Sequence, residues 1–437
     1  MQKERVILGE DCIYSFDPKE TGLNRNVAVV GGPGSGKTVS FGEAELIETL
    51  RSEDPVNRLF VVTKSRIERK YAPVFKEKGF HVYRVDFGDP ERGDYAFDPL
   101  KYVRNEEDIL DLARSIVMAN ERKEHSTVDP YWDEASVALL SAEIALVRMI
   151  KGNPTFSDVL DIHFHLEITE DGSGISTSLD SVFNEIRKKS PDCFAVNQWR
   201  TFCEAAARTA RSIYVVMNPT LMVFTKNIRQ SMRTKPSIDF EKVANEKSII
   251  FLTTSPVNKE LHSLANIFVA RAIAEFHRVA AMQTSGTLVI PVHITFDDFA
   301  TGAKIAGMPE KMAITREMGI SFSLLLQSES QLKKMYGDFG CTEILDCCDS
   351  YIYFGGNNYD TAKTISLKLD VPLTEILNMP VGEEVVFRRG QRGIMTKRYN
   401  IMKDPLYQKI TEKYEKWLQD QERSKGSADY IERMRSV

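Results

Sequence analysis

The chain alternates between short runs that are wholly apolar and longer stretches in which apolar residues recur every three or four positions. Runs of the first kind predict buried β-strands, and stretches of the second kind predict amphipathic helices. Because strands and helices follow one another in turn, the pattern indicates an α/β protein whose parallel strands are connected by helical crossovers. Hairpins are predicted at both ends of this array, at Val6–Phe16 and Glu384–Asn400. The predicted core strands are Val27–Val30, Arg58–Thr63, His81–Asp86, Lys247–Thr254, Thr287–Phe296, Ile320–Leu326 and Tyr351–Gly355.

The rhythm of strands and helices is interrupted in the middle of the chain. No strand pattern is evident there, and Glu167–Gly174 is rich in acidic residues, glycine and serine, which is typical of a surface loop. We therefore predict an all-α domain over residues 105–235, inserted into one α/β domain made of residues 1–104 and 236–437, with a charged helical tail at 405–437. The helices predicted in the insertion are Glu106–Met118, Tyr131–Lys151, Ser157–Leu166, Ser178–Lys189, Glu204–Val216 and Thr220–Met232. Crossover helices are predicted at Glu43–Ser52, Glu260–Met282 and Pro309–Met318.

Composition and charge narrow the class of protein. The chain has 437 residues, 42% of them hydrophobic and 27% charged, which is ordinary for a globular protein of two or three domains. Its net charge of −5 argues against a protein that coats nucleic acid over its whole surface, but it is compatible with a local basic channel. No apolar run reaches the ~18 residues that a membrane-spanning helix needs, so we expect no membrane span and no signal peptide. The cysteines show no metal-ligand spacing and are predicted to be reduced thiols in a cytoplasm: Cys12, Cys193, Cys203, Cys341, Cys347 and Cys348.

The stretch Asn26–Thr38 carries the clearest chemical signal in the chain. An apolar strand breaks there into the sequence GGPGSGKT, and a helical pattern follows. Glycines let backbone N–H groups turn inward around a phosphate without a Cβ in the way, whereas the alternative is a glycine-rich surface turn. Lys37 would reach the β- and γ-phosphates of ATP, and Thr38 would place its hydroxyl on Mg²⁺. The predicted nucleotide-binding residues are Gly31, Gly32, Pro33, Gly34, Ser35, Gly36, Lys37 and Thr38.

Polar residues at the ends of two other strands complete the predicted site. One core strand ends in Asp297 and Asp298. Asp297 would hold Mg²⁺ through water, and Asp298 would orient the attacking water. Gln327 follows the strand Ile320–Leu326, where an amide could sense the γ-phosphate. Arg316 precedes that strand, at the opposite sheet edge, from which it could serve the nucleotide of a neighbouring subunit. The alternatives are a solvated acidic turn, a helix-capping glutamine and a surface ion pair.

Several stretches occur in the order seen in one known family. They are GGPGSGKT at 31–38, DPYW at 129–132, ARTARS at 207–212, FDDFA at 296–300, QSESQLKKMYG at 327–337 and YIYFGGN at 351–357. Over nearly its whole length the chain resembles the TraG/TraD-type coupling proteins, the conjugative DNA-transfer ATPases of type IV secretion. The stretch at 327–337 is the most specific part of the resemblance, because many ATPases share the phosphate loop.

The resemblance implies a RecA-like P-loop nucleotide-binding domain with an inserted all-α domain, which agrees with the order of elements above. It also implies ATP and Mg²⁺ as ligands and a hexameric ring that moves DNA or protein through a channel. Lys37 and Thr38 would hold the nucleotide, with Thr38 and Asp297 on the metal. The acidic motif, the γ-phosphate sensor and the trans-acting arginine fall on the residues already singled out: Asp297 and Asp298, Gln327, and Arg316.

The chain departs from the family pattern in three places. Family members usually carry N-terminal membrane helices, and none is evident before the phosphate loop. Their second strand usually ends in an Asp-Pro-Lys-Gly-Glu-like run, where residues 63–68 here read TKSRIE, so that Lys64 adds positive charge. Asp298 stands where hydrolytic ATPases of this architecture usually have glutamate, which bears on the hydrolysis rate more than on nucleotide binding.

The family also suggests partners and a place in the cell. We expect single-stranded DNA bound without sequence preference, the relaxase, and the type IV channel ATPases, at the cytoplasmic face of the inner membrane. Candidate DNA contacts are Lys64–Lys70 and the final hairpin, with a solvated face as the alternative. Trp132, Arg208 and Arg211 are interpreted as packing and ion pairs, and Asp129–Trp132 would matter for partner recognition only indirectly. The leading function is an ATPase motor that couples DNA to the channel; the alternative is a nucleotide-binding receptor that docks relaxase or effector protein and hydrolyses little.

Overall fold

The computed structural model describes residues 3–119, 130–171, 174–205, 210–255, 257–258, 260–301 and 304–435. Asp129 and Arg208, which the sequence singled out, lie outside the described residues, and so does the side chain of Trp132. In the described part of the chain there are thirteen strands: β1 Arg5–Gly9, β2 Cys12–Ser15, β3 Val27–Val30, β4 Asn57–Val62, β5 His81–Asp86, β6 Ile168–Asp171, β7 Gly174–Thr177, β8 Ser248–Thr253, β9 Val292–Phe296, β10 Ile320–Leu326, β11 Ser350–Tyr353, β12 Glu383–Arg388 and β13 Ile394–Lys397.

Nine of these strands form one central sheet in the order β13-β12-β11-β3-β10-β9-β4-β8-β5. The seven strands from β11 to β5 run parallel, and β12 and β13 add an antiparallel edge. The parallel α/β sheet and the final hairpin predicted from the sequence are therefore confirmed. The strand predicted from Thr287 begins only at Val292, because Pro291 has no N–H with which to extend the ladder.

The helices lie on both faces of the sheet. Strand β4 shows how the sequence arranges this, since Leu59 and Val61 pack into one apolar cluster and Phe60 and Val62 into the other. The helices of the described residues are α1 Pro18–Thr21, α2 Glu43–Arg51, α3 Ser65–Glu77, α4 Glu106–Met118, α5 Pro130–Ile150, α6 Phe156–Phe164, α7 Asp180–Lys189, α8 Phe194–Ala205, α9 Ala210–Leu221, α10 Lys226–Thr234, α11 Phe240–Asn245, α12 Glu260–Met282, α13 Met308–Thr315, α14 Glu329–Asp346, α15 Tyr359–Leu369, α16 Leu373–Leu377 and α17 Pro405–Arg435.

The middle of the chain is mostly helical, but the prediction that it contains no strand was wrong. The predicted surface loop at Glu167–Gly174 belongs to an antiparallel hairpin of β6 and β7, in which Ile168 pairs with Thr177. The Ile and Thr residues of both strands suit a β-strand, and the acidic residues and glycine beside them concealed this pattern. The described residues of the helix predicted at Glu204–Val216 belong to α8, which begins ten residues earlier, and to α9, which ends five residues later; residues 206–209 lie outside the described residues. The domain division drawn at residues 105 and 235 stays a prediction.

A buried carboxylate connects the sheet to the helical segment. Asp98 Oδ1 accepts hydrogen bonds from Leu100 N at 3.1 Å and from Phe156 N, the first residue of α6, at 2.9 Å. Burial raises the pKa of Asp98 to about 6, although the two backbone donors oppose the shift. Nearby, Tyr102 donates to Ile238 O at 3.0 Å, so the chain entering the helical segment is bonded to the chain leaving it.

A second buried carboxylate fixes helix α2 against the strands that lead to the predicted site. Glu45 accepts hydrogen bonds from Thr295 of β9 at 2.8 Å and from Ser323 of β10 at 2.7 Å. Burial alone would raise the pKa of Glu45, but His293 and Arg58 lower it to about 2, so the group is ionised. The helix that follows the phosphate loop is thereby bonded to two of its neighbouring strands.

Candidate nucleotide-binding site

The phosphate loop begins where β3 ends, and backbone hydrogen bonds hold its first residues between two neighbouring strands. Gly31 N donates to Leu326 O of β10 at 3.0 Å, and Gly32 N donates to Gly355 O, just beyond β11, at 3.0 Å. A Cβ on Gly31 would lie 2.6 Å from Phe354 Cβ. Only glycine fits there without a shift of the surrounding chain, because real Cβ atoms do not approach other carbons so closely.

Two further glycines let the loop turn into the helix. Gly34 and Gly36 have φ of 73° and 89°, a backbone conformation that favours glycine. A π-helical turn at Thr38–Gly42 follows and leads directly into α2. Because the first N–H groups of a helix have no partner within it, its amino-terminal end favours a bound anion.

The side chain of Lys37 folds back onto the loop. Its Nζ donates to Gly31 O at 2.6 Å and to Gly32 O at 3.2 Å, and the side chain is buried. Burial lowers the pKa of Lys37, while the carboxylates of Asp298 and Asp297 raise it. The ammonium is thus held inside the loop by two carbonyl oxygens, for which a phosphate oxygen would be a stronger, charged replacement.

The acidic pair lies directly opposite the end of the loop. Thr38 Oγ1 donates to both carboxylate oxygens of Asp297 at 3.0 Å, and Asp297 N donates to Val61 O of β4 at 3.0 Å. Burial and the charge of Asp298 raise the pKa of Asp297 to about 6, opposed by Thr38, Lys37 and Lys64. A hydroxyl and a carboxylate this close supply the oxygen ligands that Mg²⁺ prefers, so the predicted metal pair fits the ion.

Asp298 and Gln327 contact each other at the ends of adjacent strands. Gln327 Nε2 donates to Asp298 Oδ1 at 3.3 Å, and Gln331 Nε2 of α14 donates to Gln327 Oε1 at 3.4 Å. Asp298 has a φ of 57°, which is uncommon for a residue other than glycine. A backbone held in this region at a cluster of polar side chains is typical of functional sites.

Arg316 is the one predicted site residue that the structure does not bring into this cluster. It begins the short 3₁₀ turn Arg316–Met318 that precedes β10, at the amino end of the strand, and its side chain is exposed. Gln327 follows the carboxyl end of the same strand. Arg316 therefore lies across the sheet from the phosphate loop of its own chain, as the trans-acting hypothesis requires.

A cavity of about 690 Å³ beside the loop contains residues that the sequence did not indicate. It is bounded by the loop, the ends of β10 and β11, and helices α15 and α16. Of the buried polar side-chain atoms that lack a hydrogen-bond partner in the described part of the chain, four belong to residues that line this cavity. These atoms are Ser35 Oγ, Gln331 Oε1, Thr361 Oγ1 and Arg398 Nε.

Two of the basic candidates for DNA contact at Lys64–Lys70 are engaged within the chain. Arg66 and Lys70 both form ion pairs with the buried Glu43, at 2.8 Å and 2.7 Å. Lys64, in contrast, is exposed and lies close enough to Asp297 to lower the pKa of that carboxyl.

The cations of the final hairpin also divide into two groups. Arg388 lies over the Tyr14 ring at 3.8 Å, and Arg389 forms an ion pair with Asp349 at 3.1 Å. Arg392 and Lys397 are exposed on the hairpin, and they remain predicted DNA contacts.

The sequence model of a family described as "Type IV secretory system Conjugative DNA transfer" matches residues 2–370. The chain belongs to this family. No curated protein sequence matches it. The family match covers the phosphate loop, the acidic pair, Arg316 and Gln327, whereas the final hairpin and α17 lie beyond it. The resemblance to the conjugative coupling proteins inferred from the sequence is thereby confirmed.

Solved structures similar to this family member support the same fold. The plasmid coupling protein TrwB in complex with ADP and Mg²⁺ has a TM-score of 0.65 at 16% identity, over 86% of this chain and 84% of that one. TrwB with the non-hydrolysable ATP analogue ADPNP has a TM-score of 0.61 at 16% identity, over 87% and 86%. VirB4 of Thermoanaerobacter pseudethanolicus has a TM-score of 0.55 at 12% identity, over 93% and 98%. The predicted fold class, a RecA-like P-loop domain with a helical insertion, is confirmed.

Membership of the conjugative DNA-transfer family identifies the chain as a type IV secretion coupling protein. Within the described residues, no helix is both long and apolar enough to cross a bilayer.

Proposed function

We propose that this chain is the ATP-hydrolysing motor of a type IV secretion system, which recruits DNA with its attached relaxase and drives it toward the channel. The observation that carries the proposal is the contact of Thr38 with Asp297 at 3.0 Å, at the end of a loop that also holds Lys37. Binding of a nucleoside triphosphate and its metal ion requires these groups to lie close together. TrwB, which has the same fold, has been solved with ADP and Mg²⁺ and with ADPNP.

Each residue of the cluster has a role that follows from its position. Backbone N–H groups of residues 36–38, at the end of the loop, would surround the β-phosphate, and the Lys37 ammonium would leave its two carbonyl partners for phosphate oxygens. Thr38 and Asp297 would hold Mg²⁺, which neutralises charge on the transferring phosphate. Asp298 would accept a hydrogen bond from the attacking water, and Gln327 would orient that water or sense its γ-phosphate target.

The assembled motor is proposed to be a homo-hexamer at the cytoplasmic face of the membrane, with a monomer possible in isolation. Its support is the placement of Arg316, which is exposed at the sheet edge opposite its own phosphate loop and would complete the site of a neighbouring subunit. Exposed cations such as Lys64, Arg392 and Lys397 would contact the phosphates of a single DNA strand without reading its sequence. Relaxase and the channel ATPases are the protein partners proposed for this motor.

One observation favours the alternative of a docking receptor with little hydrolysis. The Asp298 carboxylate is short, and Gln327 Nε2 lies 3.3 Å from its Oδ1, so one of its oxygens is already engaged. A receptor of this kind would bind ATP and Mg²⁺ at the same loop and use them as a structural ligand. The two functions therefore differ in turnover and agree in nucleotide binding.

Steady-state phosphate release, with and without single-stranded DNA, distinguishes the two functions. We expect DNA-stimulated turnover that Lys37→Ala abolishes. A matched control is Lys235→Ala, because Lys235 Nζ also donates to backbone carbonyl oxygens, those of Pro90, Glu91 and Gly93, but lies outside the phosphate loop. Tight binding of nucleotide with no turnover at any protein concentration would contradict the motor and favour the receptor.

A further inference from the structure

Arg398 connects the final hairpin to the phosphate loop. It directly follows β13, and its guanidinium extends to two backbone carbonyl oxygens. One Nη donates to Ser35 O, inside the loop, at 2.5 Å, and the other donates to Phe354 O, at the end of β11. The guanidinium also lies over the Phe354 ring, 4.8 Å from its centroid. A single side chain therefore joins the loop, the strand beside it and the antiparallel edge of the sheet.

The bond to Ser35 O determines which way one peptide of the loop faces. In a trans peptide the C=O of Ser35 and the N–H of Gly36 point in opposite directions. Arg398 binds the carbonyl oxygen, so the N–H of Gly36 lies on the opposite side of this peptide and points away from Arg398. An anion on the inner side of the loop needs N–H groups turned toward it, and a carbonyl oxygen turned inward would repel it.

This peptide is free to rotate unless something holds it. A flip of this peptide rotates ψ of Ser35 and φ of Gly36, and Gly36 has a φ of 89°. Glycine reaches both signs of φ at little cost, so a flip of the Ser35–Gly36 peptide meets a small intrinsic barrier. A charged donor fixed by a second carbonyl, that of Phe354, favours one of the two orientations.

The surroundings of Arg398 agree with a positioning role. Both of its Nη groups are committed to carbonyl oxygens, and burial lowers its pKa while Glu384 raises it. Backbone contacts also fix it, since Arg398 N donates to Gly382 O at 2.9 Å. The guanidinium is thus held by main-chain oxygens on two elements, the loop and the end of β11.

We propose that Arg398 is a positioning residue for the phosphate loop. Arg398 holds the Ser35–Gly36 peptide in the orientation that binds phosphate, and this orientation therefore depends on the final hairpin. The proposal rests on the proposed function, because it takes the loop to be a nucleotide site. It extends that site beyond residue 370, where the family match ends. The basic hairpin, read from the sequence as a candidate DNA contact, thereby supplies one of its cations to the nucleotide site.

The test compares the affinity of the full-length chain for ADP with Mg²⁺ between the wild type and three variants, by calorimetry. Arg398→Ala should weaken ADP binding by about 10- to 100-fold, because it removes the charge-assisted hydrogen bond to Ser35 O in the loop and the bond to Phe354 O that holds the guanidinium in place. Arg398→Lys should recover only part of the loss, since an ammonium cannot reproduce the planar, two-pronged geometry. The matched control is Arg389→Ala, on the same hairpin, whose guanidinium bonds Asp349 and Gly22 O and does not contact the loop. It should leave ADP affinity unchanged.

Two further readouts separate positioning from general stability. Guanidinium ion, added below the concentration that begins to unfold the chain, should restore ADP binding to Arg398→Ala and not to Lys37→Ala. Hydrogen exchange of the ligand-free chain should be faster at the loop amides of Arg398→Ala and unchanged in β10. If Arg398→Ala does not fold, as judged by circular dichroism, Arg398→Lys is compared by the same two measurements.

The outcomes are distinguishable. The positioning role is overturned if Arg398→Ala binds ADP as tightly as the wild type. If Arg398→Ala also loses turnover while its ADP affinity is unchanged, Arg398 makes a contact only in the transition state. A loss of affinity without rescue by guanidinium, together with unchanged exchange at the loop, also overturns it. If the wild-type chain itself does not bind ADP, the proposed function fails and the inference fails with it.

Discussion

Gly31→Ala tests whether the phosphate loop is shaped by steric exclusion between its first glycine and the neighbouring strand. The new Cβ would lie 2.6 Å from Phe354 Cβ and 2.8 Å from Ser35 Oγ. Ser35 Oγ can rotate away, but Phe354 Cβ cannot, because it is fixed to the backbone at the end of β11. The loop or the strand end must therefore move by about 1 Å to reach ordinary van der Waals separation.

The size of the effect follows from that displacement. Overpacking of this kind costs about 1–3 kcal/mol of folding free energy. A shift of the loop would also strain the hydrogen bond from Gly31 N to Leu326 O, which is 3.0 Å long in the unperturbed structure. We expect ADP affinity to fall by about tenfold or more, because a loss of about 1.4 kcal/mol of binding free energy weakens binding tenfold.

Gly32→Ala is the matched control, because it makes the same chemical change one residue further on. Its Cβ would have Gly356 Cα as nearest neighbour at 3.7 Å, an ordinary contact, and Gly32 does not have the positive φ of Gly34 or Gly36. We expect its unfolding free energy to stay within about 0.5 kcal/mol of the wild type and its ADP affinity within about twofold. Urea unfolding and calorimetric ADP titration of both variants measure the contrast. Equal losses in both variants, or no loss in either, would refute the steric argument.

Three further predictions concern single side chains. Asp98→Asn should stabilise the chain at pH 8 by about 2–3 kcal/mol. The folded pKa of Asp98, about 6, exceeds the ordinary value of about 3.9, so its ionisation above pH 4 lowers the stability of the folded state. Urea titrations from pH 4.5 to 8 would contradict this if the difference in unfolding free energy from the wild type did not change with pH. Asp297→Asn should remove most of the Mg²⁺ dependence of ADP binding, measured with Mg²⁺ and with EDTA; an unchanged ratio would remove Asp297 from the metal site. Arg316→Ala should keep ADP binding and lose turnover by about 10³-fold, while wild-type specific activity rises with protein concentration. Activity that is flat on dilution would exclude a trans-acting arginine.

The strands and long helices of this fold are predictable because their burial is periodic. Strand β3 and helices α4 and α12 lie at the residues predicted. The strand is buried along its whole length, and each helix buries a regular face. The hairpin of β6 and β7 was not predicted, because its strands are only four residues long and polar. The start of α8 was not predicted, because helix Phe194–Ala205 begins ten residues before the predicted helix Glu204–Val216. Local sequence patterns thus predict elements that have a continuous buried face, and they do not predict elements whose burial depends on partners distant in sequence.

The same limit decides which parts of the site could be predicted. Lys37, Thr38 and Asp297 were recognisable because each lies at the end of an apolar strand or in a spaced glycine pattern, and the sheet then brings those ends together. Arg398 had no such signal. It lies 363 positions from Ser35, and in sequence it is one of several cations in a hairpin. Its partners are backbone carbonyl oxygens, which no residue type reveals. A side chain that acts by holding the main chain is visible only once the sheet has placed the hairpin beside the loop, and that order depends on the antiparallel pairing of β12 with β11.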